Sequence, residues 1–160
     1  MPVTTRIEEV RNEIALLAET SVSTKDLMQV ACKLLHERML KYNWVGFYML
    51  ELNAQPPMLA LEAFVGAMTP HTRIPLNQGI CGAAASSGKT IVVDDVSKDP
   101  RYLACSLETK SEIVVPIFVK NQVTGELDID SHFPAAFGAE DQKLVQYCAE
   151  VVGKKIEKSK

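Results

Sequence analysis

Ser111-Glu112-Ile113-Val114-Val115-Pro116-Ile117-Phe118-Val119-Lys120-Asn121-Gln122-Val123-Thr124-Gly125-Glu126-Leu127-Asp128-Ile129-Asp130-Ser131 decides the architecture. β-Branched and apolar residues predict strands over 111–119 and 122–129, and Lys120-Asn121 between them is a hairpin turn. Carboxylates break this apolar pattern at Glu112, Asp128 and Asp130. A buried, unpaired charge costs several kcal/mol, roughly, so acids in such strands ask for a reason. In a two-residue period Asp128 and Asp130 share one face, with Ile129 opposite. Like charges there repel unless a cation lies between them; a substrate ammonium would serve, and so would a structural lysine or arginine. Glu112 opens its strand. Burial would keep it protonated and make it a candidate acid, while a strand-end surface charge is the plainer alternative.

Working outward, Thr90-Ile91-Val92-Val93 reads as another strand, and residues 94–108 form a connection too long and polar for a tight turn. Gly79 opens a short helix over 80–87 that Gly88 ends. Arg73-Ile74-Pro75 is extended. Strands are expected at 43–52 and 58–64, with a turn at 54–57. Ile7, Val10, Ile14 and Leu17 recur at helical spacing in the first twenty residues. A second helix starts at the capping residue Ser23 and turns Leu27, Val30, Ala31, Leu34 and Leu35 inward. A final helix covers about 139–155, with Leu144, Cys148, Val151 and Val152 inward. Helices at both ends of five or six mostly antiparallel strands make a single α+β domain spanning 1–160.

The 160 residues suffice for one domain that buries something like 70% of its unfolded surface. A net charge of -3 with scattered basic residues argues against a nucleic-acid groove. The lysines at 154, 155, 158 and 160 suit a helix C-terminus instead. No apolar run approaches the roughly 20 residues that span a bilayer, and the N-terminus lacks a signal-peptide core. Cytoplasmic residence is the expectation, where four cysteines stay reduced. No two cysteines or histidines lie at close ligand spacing, so no metal is expected.

Two cysteines stand out. Cys81, flanked by Gly79 and Gly82, falls in the first turn of its helix, where free N–H groups and the dipole favour an anion. Cys105 lies in the polar connection, with Arg101 and Lys110 as cations that would stabilise a thiolate if the loop folds back. Neither reads as mere filling. Cys32 and His36 read as packing or surface residues, and Cys148 as core.

Asn43-Trp44-Val45-Gly46-Phe47-Tyr48, Arg73-Ile74-Pro75, Gly79-Ile80-Cys81-Gly82, Ala104-Cys105, Ser111-Glu112-Ile113-Val114-Val115-Pro116 and Leu127-Asp128-Ile129-Asp130-Ser131 occur in this order. Together they resemble the free methionine-(R)-sulfoxide reductases, single-domain enzymes with a GAF fold, over about 27–152. The resemblance implies that Cys105 attacks the sulfoxide sulfur, releases methionine and becomes a sulfenic acid. It implies that Glu112 and Asp130 hold the sulfoxide and amino ends of the ligand, that Asp128 helps hold the ammonium, and that Trp44 and Tyr48 wall the thioether. No bound cofactor is implied; thioredoxin, fed by NADPH, would be the external reductant, and a homodimer is expected. Where many members carry a further, resolving cysteine, this chain has His71. It therefore resembles a two-cysteine variant with a Cys81–Cys105 disulfide, and His71 reads as a bystander. Ser106 and Tyr102-Leu103 also depart from the family pattern, which has aspartate and His-Ile there.

Two rivals share the fold. One is a non-catalytic GAF module that binds a small molecule or senses redox state, although no output domain follows the last helix. The other is a degenerate relative kept for dimerisation through the N-terminal helix. A sensor would keep ligand binding in Cys105→Ser with no turnover to lose.

Overall fold

The computed structural model describes residues 3–103 and 107–159, with side chains from residue 5 onward. Helices α1 (Val3–Thr20) and α2 (Thr24–Arg38) lead into strands β1 (Trp44–Glu51), β2 (Met58–Val65) and β3 (Arg73–Pro75). Helix α3 (Gly79–Ser87), strand β4 (Ile91–Val93) and a 3-10 turn (Val96–Lys98) follow. Strands β5 (Ser111–Val119) and β6 (Gln122–Ser131) and helix α4 (Ala139–Lys158) complete the order. One sheet runs β3-β2-β1-β6-β5-β4, and every neighbouring pair is antiparallel.

The hairpin at the heart of the sequence is the β5–β6 pair. Lys120 and Asn121 both take positive φ, 51° and 67°, the conformation of the two-residue turn that matches strand twist. The register sets Glu112 against Asp130, Val114 against Asp128 and Pro116 against Glu126. Strand β4 pairs only with residues 112–114, so Pro116 lies on an edge stretch, where a missing N–H is tolerated. On its other side β6 pairs with β1, placing Trp44 against Asp130, Gly46 against Asp128 and Tyr48 against Glu126.

Alternation then sorts side chains into two layers. Val45, Phe47, Ile113, Val115, Ile117, Leu127 and Ile129 join the inner faces of α1, α2 and α4 in the larger core. The opposite face packs Trp44, Tyr48 and Val114 against Ile80, Cys81 and Ala84 of α3. Ser23 caps α2 by accepting a hydrogen bond from the Asp26 amide at 3.1 Å. Gly88 ends α3 in the left-handed conformation.

One expectation changes, at three inward positions. Val30 is 37% exposed, and Val151 and Leu34 are only partly buried, because α2 and α4 each bury one stripe against the sheet. Lys155 and Lys158 fall in the last turn of α4, as expected, and Lys155 Nζ also reaches the end of α1, donating to the Ser21 carbonyl at 2.8 Å. Cys32 is buried beneath β2, and Cys148 lies in the core with its thiol pushed up to about 12 by burial. Among the described residues, no helix is long and apolar enough to cross a membrane.

Candidate active site

The sheet face beneath α3 carries the chemistry. Period-two alternation brings Glu126, Asp128 and Asp130 of β6 to this face, and Glu112 of β5 pairs beside Asp130. All four are buried, at 0%, 5%, 4% and 5% exposure for Glu126, Asp128, Asp130 and Glu112. Both Glu126 oxygens, Asp128 Oδ1 and Asp130 Oδ1 have no hydrogen-bond partner among the described residues. Nor does any described lysine or arginine form an ion pair with them.

Burial without a counter-ion favours neutral carboxyls. It pushes Glu112 well above the usual range, and the Asp128 and Asp130 charges push further in the same direction. Asp130 is likewise held well above normal, first by burial and then by the Asp128 charge. Burial holds Glu126 well above normal too, partly offset by the Cys81 thiol, with the Asp128 charge adding to the rise. Asp128 is raised by burial, offset by hydrogen bonds from Glu112 and Cys81. Glu112 is therefore not a strand-end surface charge. Among the described residues, no lysine or arginine forms an ion pair with Asp128 or Asp130.

Cys81 joins them from the first turn of α3. Its thiol donates to Asp128 Oδ2 at 3.3 Å, and the residue is 5% exposed. This overturns the expected activation by the helix dipole and the open glycine flanks. Burial, followed by the Asp128, Glu126 and Glu112 charges, drives the thiol well above its ordinary value. Nearby carboxylates outweigh the partial charge of a helix end. The sulfur atom of Cys81 and one carboxylate oxygen each of Glu112 and Asp128 lie within 4.8 Å of one another. Chain spacing could not reveal this group, since α3, β5 and β6 each supply one member.

Trp44 closes the other end. Its indole lies over Gly46, where a Cβ would collide with the ring, and stacks on Phe64 at 5.8 Å. Its Nε1 donates to the Ala67 carbonyl at 3.0 Å. Tyr48, 1% exposed, sits 6.4 Å from the indole and donates from its hydroxyl to the His71 carbonyl at 2.7 Å.

Two cavities open on this face. One of about 20 Å³ is lined by His71, Ile74, Gly79, Ile80, Cys81, Leu103 and Glu112. The other, about 100 Å³, is lined by Trp44, Asp130, Glu108, Thr109 and His132 among others. Tyr48 lines neither. Larger hollows, about 300 and 590 Å³, lie over the helices, the first against α1 and α2 and the second against α1 and α4, away from the acids. His71, read as a bystander, borders the same small cavity as Cys81.

Cys105 lies outside the described residues, as does Ser106. Leu103, two positions before Cys105, lines the cavity with Cys81 and Glu112, and Glu108 and Thr109 line the one with Trp44 and Asp130. Arg101 pairs its guanidinium with Asp99 at 2.7 Å; the expected approach of Arg101 to Cys105 lies outside the described residues. Glu126 was missed in the sequence. The signal was there, since it extends the Asp128–Asp130 alternation by one step within the strand expected over 122–129.

The GAF domain family model matches residues 23–156. The chain is 40% identical over 110 residues to the free methionine-R-sulfoxide reductase of Escherichia coli, covering 69% of this chain and 64% of that protein. Thus the matched stretch spans just under two thirds of that relative's length. The X-ray structure of free methionine-R-sulfoxide reductase from Neisseria meningitidis, in complex with its substrate, superposes with a TM-score of 0.92. Identity is 32%, covering 99% of this chain and 93% of that one. The Staphylococcus aureus enzyme in its substrate complex superposes with a TM-score of 0.84 at 33% identity, covering 94% and 95%. By its matched core, its sheet order and these relatives, the chain belongs to the GAF domain family, among the free methionine-R-sulfoxide reductases.

Proposed function

We propose that this protein reduces free L-methionine (R)-sulfoxide to methionine. The observation that carries the proposal is the convergence of Cys81, Glu112 and both described ends of the Cys105 segment on one face of buried acids that pair with no described lysine or arginine. The substrate ammonium supplies the cation that Asp128 and Asp130 lack, and Trp44 offers an aromatic surface to the thioether.

Glu112, neutral by burial, donates its proton to the sulfoxide oxygen as the Cys105 thiolate attacks sulfur. Oxygen passes to Cys105, the S–O bond of the substrate breaks, and methionine leaves; cysteine is oxidised by two electrons to sulfenic acid. Cys81 then attacks Cys105, water departs and a disulfide forms. Its thiol proton has a ready acceptor in Asp128, to which it already donates. Thioredoxin returns both cysteines to thiols by exchange, itself becoming oxidised. We place this cycle in the cytoplasm, where free thiols persist. The protein acts as a homodimer, for which the apolar hollow of Leu16, Leu17, Val30 and Leu34, rimmed by Glu13, Lys33 and Glu37, offers a surface.

The test is an NADPH-coupled thioredoxin assay with free methionine (R)-sulfoxide, its (S) diastereomer and a peptide-bound sulfoxide. Steady consumption with the first alone supports the reading. No consumption by folded, reduced protein that still binds the sulfoxide favours the sensor.

A further inference from the structure

We infer that the reduced protein binds one zinc ion through Cys81 Sγ and one carboxylate oxygen each from Glu112 and Asp128. The three ligand atoms come from α3, β5 and β6 and lie within 4.8 Å of one another. Zn–S and Zn–O bonds of about 2.3 and 2.0–2.2 Å at near-tetrahedral angles require ligands about 3.3–3.6 Å apart. Cys81 Sγ and Asp128 Oδ2 stand at 3.3 Å. The Glu112 oxygen lies within 4.8 Å of both, so the triangle closes only if its side chain moves inward on binding.

Two further observations point to a cation. Asp128 Oδ1, Asp130 Oδ1 and both Glu126 oxygens are buried and unpartnered, so the site holds surplus acceptors next to the three ligands. A cavity of about 20 Å³ adjoins Cys81 and Glu112. That volume holds one water, the fourth ligand of an open zinc site. An ammonium would satisfy the carboxylates alone. The thiol that donates into them adds a soft ligand, and a mixed sulfur–oxygen set suits zinc better than magnesium or calcium.

Binding requires the thiolate and the carboxylates, so the Cys81 proton and any proton held on Glu112 or Asp128 are released to solvent as the metal bonds form, and affinity rises with pH. The bound ion ties up Cys81 and opposes an ammonium nearby. If the reductase reading holds, zinc therefore inhibits turnover in competition with substrate. Binding itself is read without turnover, so either idea can fail alone.

The experiment titrates cobalt(II), then zinc, into the full chain kept reduced by a phosphine. One equivalent of cobalt is expected to give a thiolate charge-transfer band and the strong visible bands of four-coordinate cobalt, both erased by zinc. Cys81→Ser is expected to abolish the charge-transfer band and Cys105→Ser to retain it. Glu112→Gln and Asp128→Asn are each expected to weaken cobalt binding at least as much as the about 10–100-fold seen on losing an outer-shell partner. Should Cys81→Ser fail to fold by circular dichroism, Cys81→Ala repeats the test without a buried hydroxyl. No band at saturating cobalt, a band that survives loss of Cys81, or unchanged affinity in both carboxyl variants would overturn the inference.

Discussion

Replacing Glu126 by glutamine isolates the cost of burying an acid that nothing partners. Glu126 is fully buried, neither of its oxygens has a hydrogen-bond partner among the described residues, and burial, only partly offset by the Cys81 thiol, holds it well above its ordinary value of 4.5. The folded protein therefore binds a proton that the unfolded chain releases as pH climbs past about 4.3. Stability from this group is complete below the unfolded value and is lost as pH rises toward the folded one. Glutamine has nearly the same shape and no proton to lose. Its unpartnered amide adds a cost of about 1–3 kcal/mol, but one that does not change with pH. The stability of Glu126→Gln relative to wild type should thus climb by up to about 1.4 kcal/mol per pH unit. Over pH 5 to 7 the gain reaches about 2.7 kcal/mol when the folded carboxyl stays neutral throughout. Urea denaturation of both proteins from pH 5 to 8, with chelator and reductant present, measures it. A difference independent of pH would refute the reasoning, because Glu126 would then ionise alike in both states.

The reaction cycle makes sharper demands. Cys105→Ser should abolish turnover, whereas Cys81→Ser should release one methionine per protein and then stall with thioredoxin; multiple turnovers would remove Cys81 as the resolving thiol. Glu112→Gln should slow the first step by about 10²–10⁴-fold, the usual contribution of a positioned general acid, and rapid-quench kinetics would show it. Tyr42 donates to Asp141 at 2.6 Å from a buried ring, so Tyr42→Phe should cost about 1.5–3 kcal/mol in urea denaturation, as for a hydrogen bond to a charged group. Leu16, 60% exposed beside the hollow on α1 and α2, is the place to probe assembly: Leu16→Glu should convert a dimer to a monomer in sedimentation.

Much of this was readable from the chain. The hairpin at Lys120-Asn121, the cap at Ser23, the glycine stop at Gly88 and the shared face of Asp128 and Asp130 all rest on contacts within a few residues. Local steric rules and the two-residue strand period decide such features before any folding. The reactivity of Cys81 was misjudged, because helix position is local whereas the charges that govern its thiol arrive from β5 and β6. Glu126 passed unnoticed for a related reason: whether its strand position is buried depends on α3 covering that face, and α3 lies about forty residues earlier.

Sequence alone determined the order of elements, the alternation that puts acids on one strand face, and the motif set shared with the reductases. Tertiary structure alone decided that those acids lie under a helix with no described cation among them, that Cys81 donates its proton to one of them, and that His71 borders the same cavity. The division has a physical origin. Propensity and periodicity act through neighbouring bonds, while desolvation and Coulomb energy depend on distances that exist only once the sheet is assembled and α3 is laid across it.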